Sequence, residues 1–295
     1  MATDLVLGEP QGEPSIKGLG LGIHGLRVGR WLLIGAVLAW FTILILLPTL
    51  ALVQKVATGG LSPFFAALAR PDVQRAFAMS LGITALATVV NTVFGIGLAL
   101  VLTRQRFWGR VLVDGIVDLP FAVSPIVAGL MLVVLYGPDG WLGRWLEPHG
   151  IRVIYAVPGM ILATLFVTVP FVARELVPVL RELGEEYEQA AQTLGAGRWR
   201  TFWSVTLPSI RWGVAYGVTL TVARSLGEFG AVVVVSGNVI GHTQTATLYI
   251  NEGVESFHPE GAYAASLVLA AVSFLLLVGM DLIRKHLEGG KENRP

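Results

Sequence analysis

The sequence predicts an all-α, polytopic membrane protein with six transmembrane helices, and two observations support this. First, 54% of the 295 residues are hydrophobic and only 14% are charged, whereas soluble domains average about 25% charged residues. Second, a bilayer-spanning helix needs roughly 20 predominantly apolar residues, and five stretches meet that requirement. They are residues 31–54, 76–103, 119–138, 153–173 and 261–280. A sixth stretch, residues 212–237, is mostly apolar but contains Arg224 and Glu228.

The two ends of the chain are predicted as tails. Residues 1–30 are rich in Gly, Pro and charged side chains, which is typical of a flexible segment. The apolar stretch behind them is longer than the apolar part of a signal peptide, which runs about 7–15 residues. We therefore expect the first span to be retained. The transmembrane domain is predicted over residues 31–285, followed by a short tail at 286–295.

The distribution of Lys and Arg predicts that both tails are cytoplasmic. With the N-terminus inside, the cytoplasmic segments hold 15 Lys and Arg residues and the opposite side holds five. Positive charge concentrates on the cytoplasmic side of membrane proteins. This orientation also places the long polar segment at residues 174–211 in the cytoplasm.

The polar segment at 174–211 is predicted to contain a helix over residues 180–194, because that part is rich in Glu, Gln, Ala and Leu. Gly184 is its weak point, and Gly195 is expected to turn the chain at its end. A second short helix follows, and Pro208 is expected to start the next span. The helix carries apolar or small residues at helical spacing on one face. They are Tyr187, Ala190, Ala191 and Leu194.

Such a face suits a helix that docks into a groove on a partner. The alternative is an amphipathic helix lying on the membrane surface or on the protein's own spans.

The apolar stretch at residues 212–237, the fifth of the six along the chain, is predicted to bury an ion pair. Arg224 and Glu228 are four residues apart, so on one helix they share a face. Charges inside a membrane normally face the interior of a helix bundle or a water-filled cavity. Two interpretations stay open: a gate or pore-lining element, and an ion pair that only fixes helix packing. Asn91 and Ser124 are further candidates for contact with a passing oxyanion, although such side chains more often bond backbone or neighbouring helices.

Other polar residues point to no chemistry in this chain. Arg110, Asp114 and Asp118 are spaced i, i+4, i+8, which we interpret as an ion ladder at the membrane interface. The chain has no cysteine, and its five histidines lack ligand spacing, so we expect neither a catalytic nor a metal site. No phosphate-binding loop of the G-x-x-x-x-G-K-[ST] type occurs. A net charge of +1 gives no reason to expect nucleic acid as a partner.

The polar segment resembles the cytoplasmic EAA loop of ABC-importer permeases. That pattern is E-A-A, three residues, Gly, nine residues, then Ile-x-Leu-Pro. Its counterparts here are Gln189, Ala190, Ala191, Gly195, Val205, Leu207 and Pro208. The chain departs from the pattern at Gln189 and Val205 and keeps its spacing. In that family the loop docks onto an ATPase subunit, so the resemblance implies a type I ABC importer permease fold, with a core at about residues 76–283.

Two further segments narrow the resemblance. Residues 223–238 read A-R-S-L-G-E-F-G-A-V-V-V-V-S-G-N, and residues 118–130 read D-L-P-F-A-V-S-P-I-V-A-G-L. Both resemble the sulfate and molybdate permeases, particularly the CysW-type sulfate/thiosulfate permeases of the bacterial inner membrane.

The resemblance implies three partners. They are a CysT-type (CysU) permease, a CysA-type ATPase dimer that binds ATP and Mg, and a periplasmic sulfate-binding protein. This chain itself is expected to carry no cofactor.

Three alternatives remain at this point. The substrate could be molybdate or tungstate instead of sulfate or thiosulfate. A secondary ion-coupled transporter would use Arg224 and Glu228 as a relay, and a scaffold or sensor subunit would transport nothing. Only the ABC-importer interpretation explains the spacing from Gly195 to Leu207 and Pro208.

Overall fold

The computed structural model describes residues 23–257 and 259–292 of the chain. Residues 1–22 and 293–295, which belong to the two predicted tails, lie outside that range. The regular structure within it is helical. The helices are α1 (Ile23–Phe41), α2 (Leu47–Gly59), α3 (Leu61–Leu68), α4 (Pro71–Arg104), α5 (Arg110–Ala122), α6 (Pro125–Tyr136), α7 (Gly143–Leu146), α8 (Val157–Leu183), α9 (Glu186–Thr193), α10 (Arg198–Thr201), α11 (Leu207–Leu226), α12 (Gly230–Ser236), α13 (Ala246–Glu255) and α14 (Pro259–Glu292). Both end helices therefore extend into the predicted tails.

Four helical stretches are long and apolar enough to cross a membrane by themselves: residues 30–59, 71–104, 157–183 and 259–282. Two more spans arise only when bent helix pairs are counted as one, namely α5 with α6 and residues 198–226 with α12. The six predicted spans are thus all present as apolar segments. The third and fifth spans are not continuous helices, because they bend by 113° and 54°.

Local sequence permits a break at both positions. The third span breaks at Val123 and Ser124, whose backbone is extended (ψ 132° and 137°). Pro125 follows, and a proline disfavours the helical conformation of the residue before it. The fifth span breaks between Gly227, which caps α11, and Phe229, which leaves the helical region at φ −127°.

Two π-helical turns precede prolines at the same spacing. One covers Thr42–Leu46, before Pro48, and the other covers Phe202–Thr206, before Pro208. Proline has no N–H, and its ring clashes with the carbonyl four residues earlier. The turn before it widens into i→i−5 bonding, as the N–H of residue 207 donates to the carbonyl of residue 202. Pro208 lies in the first turn of α11, as predicted, and the π turn joins α11 to α10 in one helical stretch from 198 to 226.

The structure divides into two compact units, residues up to Val53 and residues from Gln54 onward. In the first unit, the apolar side chains of residues 31–51 are exposed. A helix that is apolar on all sides belongs in a protein core or in a membrane, and the length and exposure of this one are typical of a membrane span. The second unit has a core in which α8 packs between α4 and α11.

Glycines allow the core helices of the second unit to approach closely. A Cβ atom on Gly95 of α4 would lie 2.7 Å from the Cβ of Val172 of α8. A Cβ on Gly217 of α11 would lie 2.9 Å from the Cα of the same valine. Val172 is fully buried between the two glycines. This small-residue contact is the usual form of helix packing in membranes.

The predicted orientation can be tested by thiol labelling of this cysteine-free chain. Leu194 and Val239 are 90% and 51% exposed and lie at opposite ends of the fifth span. We expect Val239→Cys to react in intact cells with a membrane-impermeant maleimide, and Leu194→Cys to react only after permeabilisation. The reverse pattern would invert the topology that the charge distribution predicts.

Candidate functional site

The polar segment between the fourth and fifth spans is helical at both ends. The fourth span continues as α8 to Leu183, and Gly184 separates it from α9 with a positive φ of 66°. The helix predicted over residues 180–194 is therefore two helices. The reason is the backbone of Gly184, whose conformation residues with a side chain rarely adopt.

The predicted apolar face of α9 is turned away from the rest of the described chain. Tyr187 is 65% exposed and Leu194 is 90% exposed. Gln189 and Ala190 are also exposed, and Ala191 is half-buried. The alternative in which this face packs on the protein's own spans is wrong, and the face remains available to a partner or to the membrane surface.

Gly195 ends α9 in a turn closed by two hydrogen bonds. Its own N–H donates to the carbonyl of Gln192 at 2.9 Å, and the N–H of Ala196 donates to that of Ala191 at 3.0 Å. This pair is a Schellman motif, which requires a left-handed residue at the position of Gly195. Gly195 has φ +88°, so the predicted turn is present.

An aromatic cluster follows the turn. It consists of Trp199, Phe202 and Trp203, whose ring centroids lie 5.4 to 6.1 Å apart. Trp199 is 74% exposed and Trp203 is 52% exposed. Leu207 instead packs against the buried cluster that contains Leu176 and Ile210 of the core. The loop thus presents two exposed apolar elements, α9 and the aromatic cluster, and its far end is anchored in the membrane domain.

A polar cluster that the sequence did not indicate joins α9 to the membrane helices. Arg104, at the C-terminal end of α4, pairs with Glu188 of α9 through two contacts of 3.2 Å. The hydroxyl of Thr206 donates to the same carboxylate at 2.9 Å. Arg104 and Glu188 lie 84 residues apart, so no local sequence pattern connects them.

Arg224 and Glu228 form the predicted ion pair, with 2.7 Å between Nη1 and Oε2. They do not share one helix, because α11 ends at Leu226, and the pair bridges the break. The side chain of Glu228 is 1% exposed and that of Arg224 is 33% exposed. The second carboxylate oxygen of Glu228 accepts the N–H of Ala231 at 2.8 Å. The backbone carbonyl of Glu228 accepts a hydrogen bond from the hydroxyl of Thr247 at 2.8 Å.

The breaks of the third and fifth spans are in direct contact. A Cβ on Gly230 would lie 2.9 Å from the Cβ of Pro125, and one on Gly129 would lie 2.7 Å from the carbonyl oxygen of Ala231. The half-helices α6 and α12 therefore pack along each other. Ser124, which is exposed, directly precedes Pro125. The structure thus brings the segment of Ser124 to the break that Arg224 and Glu228 hold.

Asn91 occupies a different environment. Its amide donates to the carbonyl of Leu165 at 3.0 Å and to the hydroxyl of Thr168 at 2.8 Å. The residue is 2% exposed, and both of its N–H groups are used by α8. Its hydrogen bonds fasten two helices together.

The ion ladder predicted for Arg110, Asp114 and Asp118 is wrong. Both carboxylates pair instead with Arg174 of α8, at 2.8 Å and 2.6 Å. The guanidinium also donates to the backbone carbonyl of Asp114 at 2.7 Å. One side of α5 faces α8, and a cation on the neighbouring helix reaches both acids at once.

The connection from α12 to α13 is fixed by a further polar cluster. Asn238 and Gln244 both donate to the carboxylate of Glu252. The N–H of Ala246 donates to the hydroxyl of Ser80 at 2.9 Å, which ties α13 to α4. Burial raises the pKa of the Tyr249 phenol.

Comparison with known proteins gives one family. Residues 91–292 match the binding-protein-dependent transport system inner membrane component. The chain is 45% identical over 257 residues to the sulfate transport system permease protein CysW of Synechocystis sp., covering 87% of this chain and 93% of that protein. It is 42% identical over 260 residues to CysW of Escherichia coli, covering 88% and 89%. It is 40% identical over 258 residues to the permease CysT of Escherichia coli, covering 88% and 93%.

A solved structure has a similar fold. It is a chain of a bacterial ABC transporter involved in the import of the acidic polysaccharide alginate, with a TM-score of 0.73 over 89% of this chain and 98% of that one. The sequence identity is 20%, so the likeness concerns the fold alone.

The burial of the Arg224–Glu228 pair predicts an asymmetric effect of mutation. Arg224→Gln leaves a carboxylate unpaired in a site that is 1% exposed, which we expect to cost about 3–5 kcal/mol. Glu228→Gln leaves the guanidinium partly in water and keeps an acceptor for Ala231, so it costs less. Thermal unfolding of the purified variants gives the order. The interpretation fails if Glu228→Gln lowers the melting temperature more than Arg224→Gln, or if the double variant is no more stable than Arg224→Gln.

Proposed function

The chain belongs to the family of binding-protein-dependent transport system inner membrane components, and we propose that it is the membrane-spanning permease subunit of an ATP-driven sulfate importer. The all-α prediction and the type I importer permease fold are confirmed. The observation that carries the substrate is the 45% identity to a sulfate permease over 87% of the chain. The spans of this chain would change their arrangement to let the substrate pass, and we assign the chain no covalent chemistry.

We propose that α9 and the aromatic cluster of Trp199, Phe202 and Trp203 bind a separate CysA-type ATPase dimer, which carries ATP and Mg. The support is their exposure and their position on the side that the charge distribution places in the cytoplasm. Large exposed apolar side chains grouped at one place mark interaction sites. Closure of the ATPase on ATP would displace α9, and the spans would follow it.

The other proposed partners complete the pathway. A CysT-type permease would contribute the second half of the translocation path, and the 40% identity to CysT of Escherichia coli is consistent with two homologous subunits. A periplasmic sulfate-binding protein would deliver the substrate at the opposite end of the spans. Thiosulfate is a second substrate that we expect from the CysW-type resemblance.

We propose that the contact between the two breaks is the gate. Arg224 is one-third exposed, and Glu228 holds its guanidinium from the buried side. The pair is neutral as a whole, so it offers hydrogen-bond donors to a passing dianion without an uncompensated charge. Release requires weak binding in a conduction path, and Ser124 adds a hydroxyl at the same place. Asn91 is left out of the gate because α8 uses its amide.

Uptake by the reconstituted complex tests the proposed function. We expect accumulation of labelled sulfate in proteoliposomes that contain both permeases, the ATPase and the binding protein, and only with ATP. Excess unlabelled sulfate or thiosulfate is expected to compete, and molybdate is not. Stronger competition by molybdate than by sulfate would reassign the substrate. Uptake driven by a proton gradient without ATP would favour the secondary transporter.

The turn at Gly195 gives a test of docking with a matched control. A Cβ on Gly195 meets nothing within 4 Å, but φ is +88°. The left-handed region costs residues other than glycine about 1–2 kcal/mol, and valine is especially unfavourable there. Gly197 also has open space around it but has φ −68° and ψ 161°, which valine adopts easily.

We expect Gly195→Val to lower ATP-driven sulfate uptake roughly ten-fold, the factor that corresponds to about 1.4 kcal/mol, at unchanged membrane insertion. Gly197→Val is expected to transport like the wild type. Equal uptake by both variants at equal expression would argue against a role of the turn in docking.

A further inference from the structure

We propose that Arg104 is the positioning residue that makes the docking helix α9 and the membrane helix α4 move as one body. This inference rests on the proposed docking of α9 to an ATPase. It assigns the transmission of the ATPase movement to one guanidinium and one carboxylate, those of Arg104 and Glu188.

The guanidinium of Arg104 contacts two helix ends at once. Its Nε and Nη2 atoms reach the two carboxylate oxygens of Glu188, each at 3.2 Å. Nη1 donates to the carbonyl of Leu180 at 3.1 Å, and Nη2 donates to the carbonyl of Gly184 at 2.6 Å. These carbonyls belong to the C-terminal end of α8 and its cap, where helix carbonyls lack partners and carry partial negative charge. The side chain thus joins the ends of α4 and α8 to α9.

Glu188 extends the same connection to the fifth span. Its Oε1 also accepts the hydroxyl of Thr206, in the π-helical turn between α10 and α11. Both the Arg104 and the Glu188 side chains are only 16% exposed. A pair that is shielded in this way is screened by salt less than a surface pair is.

The rest of α9 has no comparable connection. Among the hydrogen bonds and ion pairs of residues 23–257 and 259–292, those of Glu188 are the side-chain links between α9 and the membrane helices. The backbone enters α9 through Gly184, at φ +66°, and leaves it through Gly195, at φ +88°. The backbone turns sharply at both ends of α9, so the carboxylate in its middle is the side-chain contact that fixes the angle of α9 to α4.

Lysine cannot replace arginine in this arrangement. Its ammonium is a single compact donor group, whereas the planar fork of arginine matches a carboxylate at two points and has N–H groups left for the carbonyls. Arg104→Lys therefore keeps the charge and removes the simultaneous contacts. Arg106→Lys is the matched control. Arg106 lies two residues after Arg104, in the loop between α4 and α5, where it is exposed and makes no ion pair among the described residues.

The first measurement uses the full-length chain alone in nanodiscs. Spin labels are attached to Gln105→Cys, at the end of α4, and to Ala190→Cys, on α9; both positions are exposed. We expect a narrow distance distribution with Arg104, the same with Arg106→Lys, and a clearly broader one with Arg104→Lys. An unchanged distribution in Arg104→Lys overturns the proposal.

The second measurement is the number of sulfate ions imported per ATP hydrolysed by the reconstituted complex. We expect Arg104→Lys to assemble and hydrolyse ATP while this ratio falls at least about five-fold, the low end of coupling between distant sites. A purely structural role would lower uptake and hydrolysis together and leave the ratio unchanged, which would overturn the proposal. If the wild-type complex imports no sulfate, the proposed function fails, and the distance measurement still decides whether Arg104 fixes α9.

Discussion

The bilayer requires every backbone polar group inside it to have a partner within the protein, and this constraint governs the two broken spans. Each break frees N–H and carbonyl groups that a continuous helix would have satisfied. At the fifth span, Glu228 accepts the N–H of Ala231 and its carbonyl accepts the hydroxyl of Thr247. After α12, the carbonyl of Val235 accepts the N–H of Tyr155 at 2.7 Å. Irregular backbone is stable there because protein surrounds it and supplies the missing hydrogen bonds.

Close packing makes the same region compact. Apolar side chains gain no hydrophobic energy by leaving lipid for protein, so membrane helices associate through van der Waals contact and hydrogen bonds. Gly129 and Gly230 let α6 and α12 touch along their backbones, and Gly95 and Gly217 do the same around Val172. Larger side chains at any of these four positions would separate helices that the permease needs in contact.

The sequence predicts the location of all six spans, because apolar length is a property of each stretch alone. It does not predict that two of them bend, since a break is permitted only where another segment covers it, as Pro125 covers Gly230. The turn at Gly195 is predictable because glycine itself allows the positive φ that the turn requires. The links of Arg104 to Glu188 and of Arg174 to its two aspartates join separate helices. Only the folded arrangement brings these charges together.

The π-helical turn before Pro208 has a consequence for the docking surface. A π turn holds one residue more than an α-helical turn, and each residue of an α-helix advances the side-chain direction by about 100°. The aromatic cluster begins on the N-terminal side of this turn, at Trp199, and the membrane-embedded part of the helix lies on the other side. The π turn before this proline therefore sets the direction in which the aromatic cluster points around the helix axis relative to α11. If the turn reverted to regular helix, the side chain of Trp199 would point in a different direction relative to α11.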